Sequence, residues 1–320
     1  MRPPFHLTPK ILQLVEQIST LLGRLHGLRV PTPQPQLRRA NRIKSIQGSL
    51  AIEGNSLNLD QVSDVFDGKR VLGPKRDVLE VRNAIRLYEL IHRLEATDAK
   101  DLMRAHRVLL NELDPKAGRF RSGAVGILKG SKVSHVAPSA KMVPKLVDDL
   151  FGFLKRDKVL SPLVKACVFH YEFEFIHPFA DGNGRLGRFW QSLILTKFHP
   201  TFEFTPIESL IKTRQKQYYE ALESSDKSGH STTFIEFSLL AIRDALDDFA
   251  SKIKIEPVTP DSRLKSAQDF FGKRDFSRKD YLGFFKGLST ASASRDLTLG
   301  VREKILSRSG SKATTRYRYK

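Results

Sequence analysis

The 320-residue sequence contains a single cysteine, Cys167. A lone thiol cannot close an internal disulfide, so no disulfide framework holds this chain together, and the usage suits a reducing compartment. Cys167 lies in an apolar run of helical texture, the setting of an inert core thiol. Long hydrophobic runs are also missing. No stretch reaches the roughly 18–20 apolar residues that cross a bilayer. The first residues, Met1-Arg2-Pro3-Pro4-Phe5-His6, carry no apolar segment of the secretory type. A cytoplasmic chain without membrane association is the expectation. Acidic residues are few against basic ones, 35 Asp and Glu to 54 Lys and Arg, which leaves a net charge of +19. That excess suits nucleic acid, nucleotide phosphates or acidic protein surfaces, and equally a diffuse solubilising shell. Internal repeats and long low-complexity tracts are absent, which excludes a solenoid. What remains, 40% hydrophobic and 28% charged residues, is ordinary globular composition over a length that suggests about two domains.

Strand signals are scarce and helical ones abundant. Leu12, Val15, Ile18, Leu21, Leu22 and Leu25 recur at helical spacing and predict an amphipathic helix over 12–25. Gly27 ends it, and Pro31, Pro33 and Pro35 form a stiff connector. Ile43, Ile46 and Leu50 supply a second helical face, with Gly54-Asn55 as its stop. Glu53 stands in that last turn, where the helix dipole disfavours a negative charge. Its carboxylate is either a solvated helix end or the partner of a cation elsewhere in the fold. Further helices are predicted from Asn58 through 65, over 77–94, from Thr97 or Asp98 to 110, and over 144–154, 162–176, 186–198, 207–222 and 233–253. The texture changes between Gly118 and Pro138, where 124–127 and 133–136 flank a polar glycine turn and predict a hairpin. His170 and Glu174, four apart and with His177 nearby, would permit metal ligation, but they match no zinc spacing, and core packing is the favoured reading.

The segment 255–261 holds two prolines and no helical period, and it predicts a domain boundary. From 256 to 320 there are 15 Lys and Arg against 7 Asp and Glu, a difference of +8. Two short helices, over 277–285 and 290–299, precede strands near 305–306 and 314–319 that flank the polar turn 308–312. Helix–turn–helix plus hairpin describes a winged helix over 262–320. Its Ser/Arg-rich second helix and basic wing suit phosphate and base contacts with DNA, although such modules also serve protein contacts.

The chemistry concentrates in one run, His177-Pro178-Phe179-Ala180-Asp181-Gly182-Asn183-Gly184-Arg185-Leu186-Gly187-Arg188. Gly182 and Gly184 permit backbone conformations that turn N–H groups toward an anion. The helix expected after them places its N-terminus where a phosphate binds well. Arg185 and Arg188 share a helix face and can hold phosphate oxygens bidentately. Asp181 suits Mg²⁺, which takes one or two carboxylates plus substrate phosphates. His177 lies just outside the cradle, where its near-neutral pKa suits a general base on an incoming hydroxyl. Base, metal and anion cradle together describe phosphoryl or nucleotidyl transfer.

The run HPFADGNGRLGR also resembles the signature of the Fic family, HPFx[DE]GNGRxxR, with every fixed position filled. Ser49-Leu50-Ala51-Ile52-Glu53-Gly54 is similar to that family's inhibitory motif, [ST]xxxE[GN], in the subclass that carries it N-terminal to the core. The resemblance implies an all-α, Fic-type helical bundle with a small β-hairpin flap and a C-terminal winged helix. It implies an N-terminal region over 1–95 with the inhibitory helix, a catalytic core over 96–254, and the tail domain. The implied activity is ATP-dependent transfer of AMP to a Ser, Thr or Tyr hydroxyl of a target protein, with pyrophosphate released. In that scheme His177 is the base, Phe179 anchors the loop, Asp181 holds Mg²⁺, and Gly182, Asn183 and Gly184 form the anion hole. Arg185 contacts phosphate, flanked by Leu186 and Gly187. Arg188 holds the γ-phosphate, or pairs with Glu53, beside Ser49 and Gly54, when the enzyme is shut. Gly130, Ser131, Lys132, Val133, Ser134, His135 and Val136 form a flap that clamps the target by strand addition. Tyr218 and Tyr219 are similar to family tyrosines near the adenine, while Asp226 replaces an Asn carried by some members. Two competing expectations are a DNA-binding regulator whose core senses nucleotide, and removal of AMP from a modified target. No pattern in the chain requires or excludes a homodimer.

Overall fold

The structure, a computed structural model of the chain, describes residues 3–27, 35–129, 132–252, 259–285, 287–311 and 314–320. It divides into two compact units, Met1–Ile253 and Lys254–Lys320. The first is helical apart from one hairpin. Helix α1 (Pro9–Gly27) packs along α11 (Thr232–Lys252), and α2 (Pro35–Ile52) packs along α9 (Ile207–Thr213). Helices α3 (Leu59–Phe66), α4 (Lys75–Glu89) and α5 (Ala99–Leu109) follow. Asn58 and Gln61 form a reciprocal capping box on α3, and the Asp98 carboxylate caps α5. Strands β1 (Gly126–Lys129) and β2 (Lys132–Val136) pair antiparallel, with a register shift between Ile127 and Leu128. Gly130 and Ser131, the tip of the expected flap, lie outside the described residues.

The centre of the unit is the pair α7 (Pro162–Ile176) and α8 (Asn183–Phe198), with α6 (Val143–Arg156) against α7. Helix α7 is apolar on nearly every face because it is enclosed on all sides, burying Leu163, Cys167, Phe169, Phe173 and Ile176. Helix α8 begins at Asn183, three residues before the apolar run that signals it. The Gly-Asn-Gly turn is therefore already its first turn, and Gly182, at φ +82°, is its N-cap. A second difference lies at 207–222. The expected single helix is two, α9 and α10 (Gln215–Ser228), separated at Arg214 (φ −110°, ψ 29°). No Gly or Pro marks the break. It follows from packing, since α9 lies chiefly on α2 while α10 lies on α11.

The tail unit holds α12 (Pro260–Phe271), α13 (Arg278–Phe284), α14 (Thr290–Arg302) and the antiparallel pair β3 (Leu306–Ser309) and β4 (Arg316–Tyr319). An isolated antiparallel bridge joins Phe276 to Tyr317. Helix α12 is not evident from the sequence, where Pro260 reads as linker. The proline is instead the first helical residue behind a Thr259 cap, a position that needs no N–H donor. Leu264, Ala267, Phe271, Phe276, Tyr281, Ala293, Leu297, Leu306 and Tyr319 form a separate core. Asp296, 1% exposed, is held there by the Arg263 guanidinium and the Tyr281 hydroxyl. A buried charge of this kind persists only when paired and hydrogen-bonded.

Cys167 is fully buried, and desolvation pushes its thiol up to about 12, well above the range in which a thiolate reacts at neutral pH. A disulfide-exchange reagent at pH 8 is expected to titrate no thiol in the native protein and one after denaturation. Rapid native reaction would contradict the packing around α7.

Candidate active site

The run from His177 to Arg188 is the turn between α7 and α8. His177 caps α7 in the left-handed region (φ 49°, ψ 61°), which is uncommon for a residue with a side chain. Its Nδ1 lies 3.3 Å from the Glu174 carbonyl oxygen. A carbonyl only accepts, so that contact places the proton on Nδ1 and makes Nε2 the basic nitrogen. Phe179 is buried and stacks face to face on His106, with ring centroids 3.7 Å apart and planes 8° apart. The Asn183 side chain closes the loop on itself. Its Oδ1 accepts from the Phe179 N–H at 3.0 Å, and its Nδ2 donates to the Phe179 carbonyl at 2.9 Å. Asn183 therefore shapes the cradle through its side chain, leaving its backbone at the helix start for an anion.

The loop is also gripped from outside, by residues that the sequence motif does not contain. His106 Nδ1 accepts from the Gly118 N–H at 2.8 Å, so Nε2 carries the proton and donates to the Asp181 carbonyl at 3.0 Å. Burial lowers the His106 pKa, which keeps the ring in the neutral form that both bonds require. Arg121 donates from Nε to the His177 carbonyl at 2.7 Å. The sequence offers a signal for His106, a polar residue on the apolar face shared by Leu102, Ala105 and Leu109. It offers none for Arg121, one of two arginines in Gly-Arg-Phe-Arg-Ser-Gly.

Charge in the cradle is dense and mostly paired. Asp181 uses Oδ1 on Arg185 Nη2 at 2.9 Å and Oδ2 on Arg76 Nη2 at 3.2 Å. Arg185 is 5% exposed. Its Nη1 sits 3.1 Å from Glu80 Oε1 without the alignment of a hydrogen bond, and its Nε meets no acceptor among the described residues. Glu80, on the buried face of α4, also accepts from Asn55 at 2.9 Å and so ties the end of α2 to the cradle. Buried donors of this sort are costly to leave unmet and mark a place for an acceptor.

Arg188 is 1% exposed and reaches back to α2. Its Nη2 lies 2.7 Å from Glu53 Oε1 and donates to the Ser49 carbonyl at 3.0 Å, while Nε donates to Ser49 Oγ at 3.1 Å. Burial alone lowers this guanidinium's pKa; the Glu53 charge, with Tyr218 and Glu174 behind it, outweighs the effect and raises it. The Glu53 carboxylate lies so close over Gly184 that a Cβ there would collide with it and with Arg188. Two further groups hold the α2 terminus: Lys212 Nζ donates to the Ala51 carbonyl at 2.8 Å, and Gln215 Nε2 to the Ile52 carbonyl at 3.0 Å. Leu186 is buried in the core, and Gly187 provides the close approach of α8 to Phe173 and Glu174 on α7.

The expected adenine-side tyrosines differ from one another. Tyr218 is buried, and its hydroxyl lies 3.1 Å from His170 Nε2, whereas Tyr219 is 38% exposed. His170 has Gln191 on its other nitrogen at 2.8 Å, and burial lowers its pKa to about 3. Its ring is a core hydrogen-bonding group, not a metal ligand. Asp226 accepts from the Tyr171 hydroxyl at 2.8 Å. Among the described residues no group of three or more His, Cys, Asp or Glu could hold a metal ion.

Residues 96–195 match the Fic/DOC family. A crystal structure of a Fic family protein from Desulfovibrio desulfuricans G20 is 40% identical, covers all of this chain and 98% of its own, and superposes with a TM-score of 0.75. The chain belongs to the Fic family. Among curated relatives, the protein adenylyltransferase Fic of Nematostella vectensis is 27% identical over 84% of this chain and 64% of its own length. The protein adenylyltransferase fic-1 of Caenorhabditis elegans is 26% identical over 66% of this chain and 42% of its own length. This Fic protein thus spans 42 to 64% of the length of these two curated relatives.

The Gly184 contact generates a structural expectation. Gly184→Ala should drive the Glu53 carboxylate off Arg188, beyond 4 Å in a crystal structure of the variant. An unmoved ion pair would refute the crowding.

Proposed function

We propose that this Fic protein is an autoinhibited protein adenylyltransferase that moves AMP from ATP to a hydroxyl of a target protein. The observation that carries the reading is the pair Glu53–Arg188 at the N-terminus of α8. There a carboxylate of the chain lies where an anion is best received, against the helix start and a buried guanidinium. A carboxylate in that place stands in for a terminal phosphate and competes with it.

In the open state, backbone N–H groups of Asn183 and Gly184, the donors of Arg185, and Arg188 receive the phosphates. His177 Nε2 takes the proton of the target hydroxyl. The hydroxyl oxygen forms a bond to the α-phosphorus, the bond from that phosphorus to the α–β bridging oxygen breaks, and pyrophosphate leaves with the electron pair. In-line attack needs little covalent help from the protein and much positioning and charge stabilisation. Tyr219 offers ring surface to the base, and the edge of the β1–β2 hairpin suits a target segment added as a strand.

The residues also fit Mg²⁺. Asp181 is 45% exposed and supplies oxygen, and a single carboxylate suffices when phosphates complete the sphere. Its Arg76 partner is 64% exposed, a surface pair weak enough to be displaced. Bound there, the ion would neutralise phosphate charge.

A second reading concerns the tail. Three helices, a hairpin and the Phe276–Tyr317 bridge support a winged helix, and α14 presents Ser294, Arg295, Thr298 and Arg302 around a cavity of about 410 Å³. Phosphate contacts by such a face would give duplex binding that weakens steeply with salt. A gel-shift titration with the full chain checks this, and binding indifferent to salt would refute it.

With ATP labelled at the α-phosphate, Glu53→Gly should raise incorporation into the protein itself or a lysate partner by roughly tenfold or more. That is the effect of removing about 1.4 kcal/mol from the closed state. His177→Ala in the same background should lower it by roughly 100-fold. Incorporation from the γ-phosphate only, or loss of AMP from a pre-modified target as the dominant reaction, would overturn the proposal.

A further inference from the structure

Arg121 is buried, 6% exposed, and among the described residues no carboxylate lies within ion-pair distance of it. A buried guanidinium without an acid is expensive unless its N–H groups are otherwise met. Here they are met by backbone carbonyls. Nε donates to His177 at 2.7 Å, Nη1 to Gly123 at 2.8 Å, and Nη2 to Pro138 and, at 3.3 Å, to Ile176. The Arg121 main-chain N–H adds a bond to the Pro178 carbonyl at 3.0 Å. These acceptors fall in two places. Ile176 and His177 end α7, where the last carbonyls have no intrahelical donor and a cation is favoured. Gly123 and Pro138 are the two roots of the β1–β2 hairpin, three residues before β1 and two after β2.

We infer that Arg121 is a positioning residue that couples the hairpin to the catalytic base. The inference rests on the proposed roles of His177 as base and of the hairpin as target clamp. Its physical content is that one rigid fork sets two distances at once. His177 occupies a left-handed conformation that a residue with a Cβ holds only when its surroundings impose it. The Arg121 bond to its carbonyl is part of that imposition. Because the same guanidinium fixes both hairpin roots, a target strand seated on the hairpin is held at a defined offset from Nε2. Lysine keeps the charge but has no planar fork, so it cannot span His177, Gly123 and Pro138 together.

The test uses the full chain with Glu53→Gly, alone and combined with Arg121→Lys or Arg121→Gln. Calorimetry with ATP and Mg²⁺ should give affinities within about twofold of one another, because no Arg121 side-chain bond ends on 182–188, the segment that receives the phosphates. Self-incorporation of α-label should fall by about 10- to 100-fold, the cost of a misplaced reacting group. Amide exchange should accelerate together at 176–177 and at the hairpin, with a shifted His177 imidazole signal by NMR. Retention of the parent labelling rate would overturn the inference. So would faster exchange at the hairpin with 176–177 unchanged, or loss of ATP affinity in proportion to loss of label in both variants. Should Glu53→Gly itself transfer no label, the adenylyl-transfer reading fails, while the exchange and NMR comparison still decides whether Arg121 couples the two elements.

Discussion

A guanidinium with almost no exposed surface sets the terms for this molecule. Arg188 is carried into the interior by α8, and a charge so placed must be compensated by another charge or by a dense set of acceptors. The chain compensates it with the end of α2, using Ser49 and Glu53 together. This explains a carboxylate in the last turn of a helix, where the dipole opposes it. The unfavourable placement is local and the pairing that offsets it is 135 residues away. The proposed competition follows from the same constraint, because an incoming anion would offer Arg188 the compensation that Glu53 does. Lys212 and Gln215 on the terminal carbonyls of α2 hold the Glu53 end of that helix in place, so the ion pair depends on α9 and α10 as well as on its own two partners.

The loop is kept in shape by one group of its own and by two that lie outside it. Asn183 bridges the loop internally, His106 pins the Asp181 carbonyl and stacks on Phe179, and Arg121 caps α7. Each of these bonds ends on backbone. Backbone anchoring fixes the path of the loop without using the Asp181 carboxylate or the His177 ring, the groups to which the proposed chemistry is assigned. Arg185 follows a different logic. It is held between Glu80 and Asp181 yet retains unmet donors, and an arginine both restrained and unsatisfied is pre-organised for an oxyanion.

The central run was legible in one dimension because its structure is local: a helix end, a turn and a helix start occupy twelve consecutive residues, and each needs specific residue types there. Gly182 has to reach φ +82°, and the expectation of a turn rests on that freedom alone. The strand pair and most helices were equally readable from periodicity and caps. Where expectation and structure part, the cause is packing: the division at Arg214 has no breaker residue, and the start of α8 is three residues earlier because the turn is itself helical. Helix α12 was hidden because Pro260 reads the same in a linker as at a first helical position.

By itself the sequence determined that this chain is helical, that one run carries an imidazole, a carboxylate, a Gly-Asn-Gly turn and two arginines, and that a lone carboxylate sits against a helix dipole. These are properties of residue type and near-neighbour spacing. Tertiary structure alone decided which residues hold that run in place. His106, Arg121, Glu80 and Arg76 lie 56 to 105 positions from the groups they touch in the run. It also decided that Tyr218 would serve the core while Tyr219 faces solvent, though they are adjacent in the chain. Burial and long-range pairing are consequences of how helices stack. A one-dimensional pattern specifies which faces are apolar, but not which buried polar group meets which.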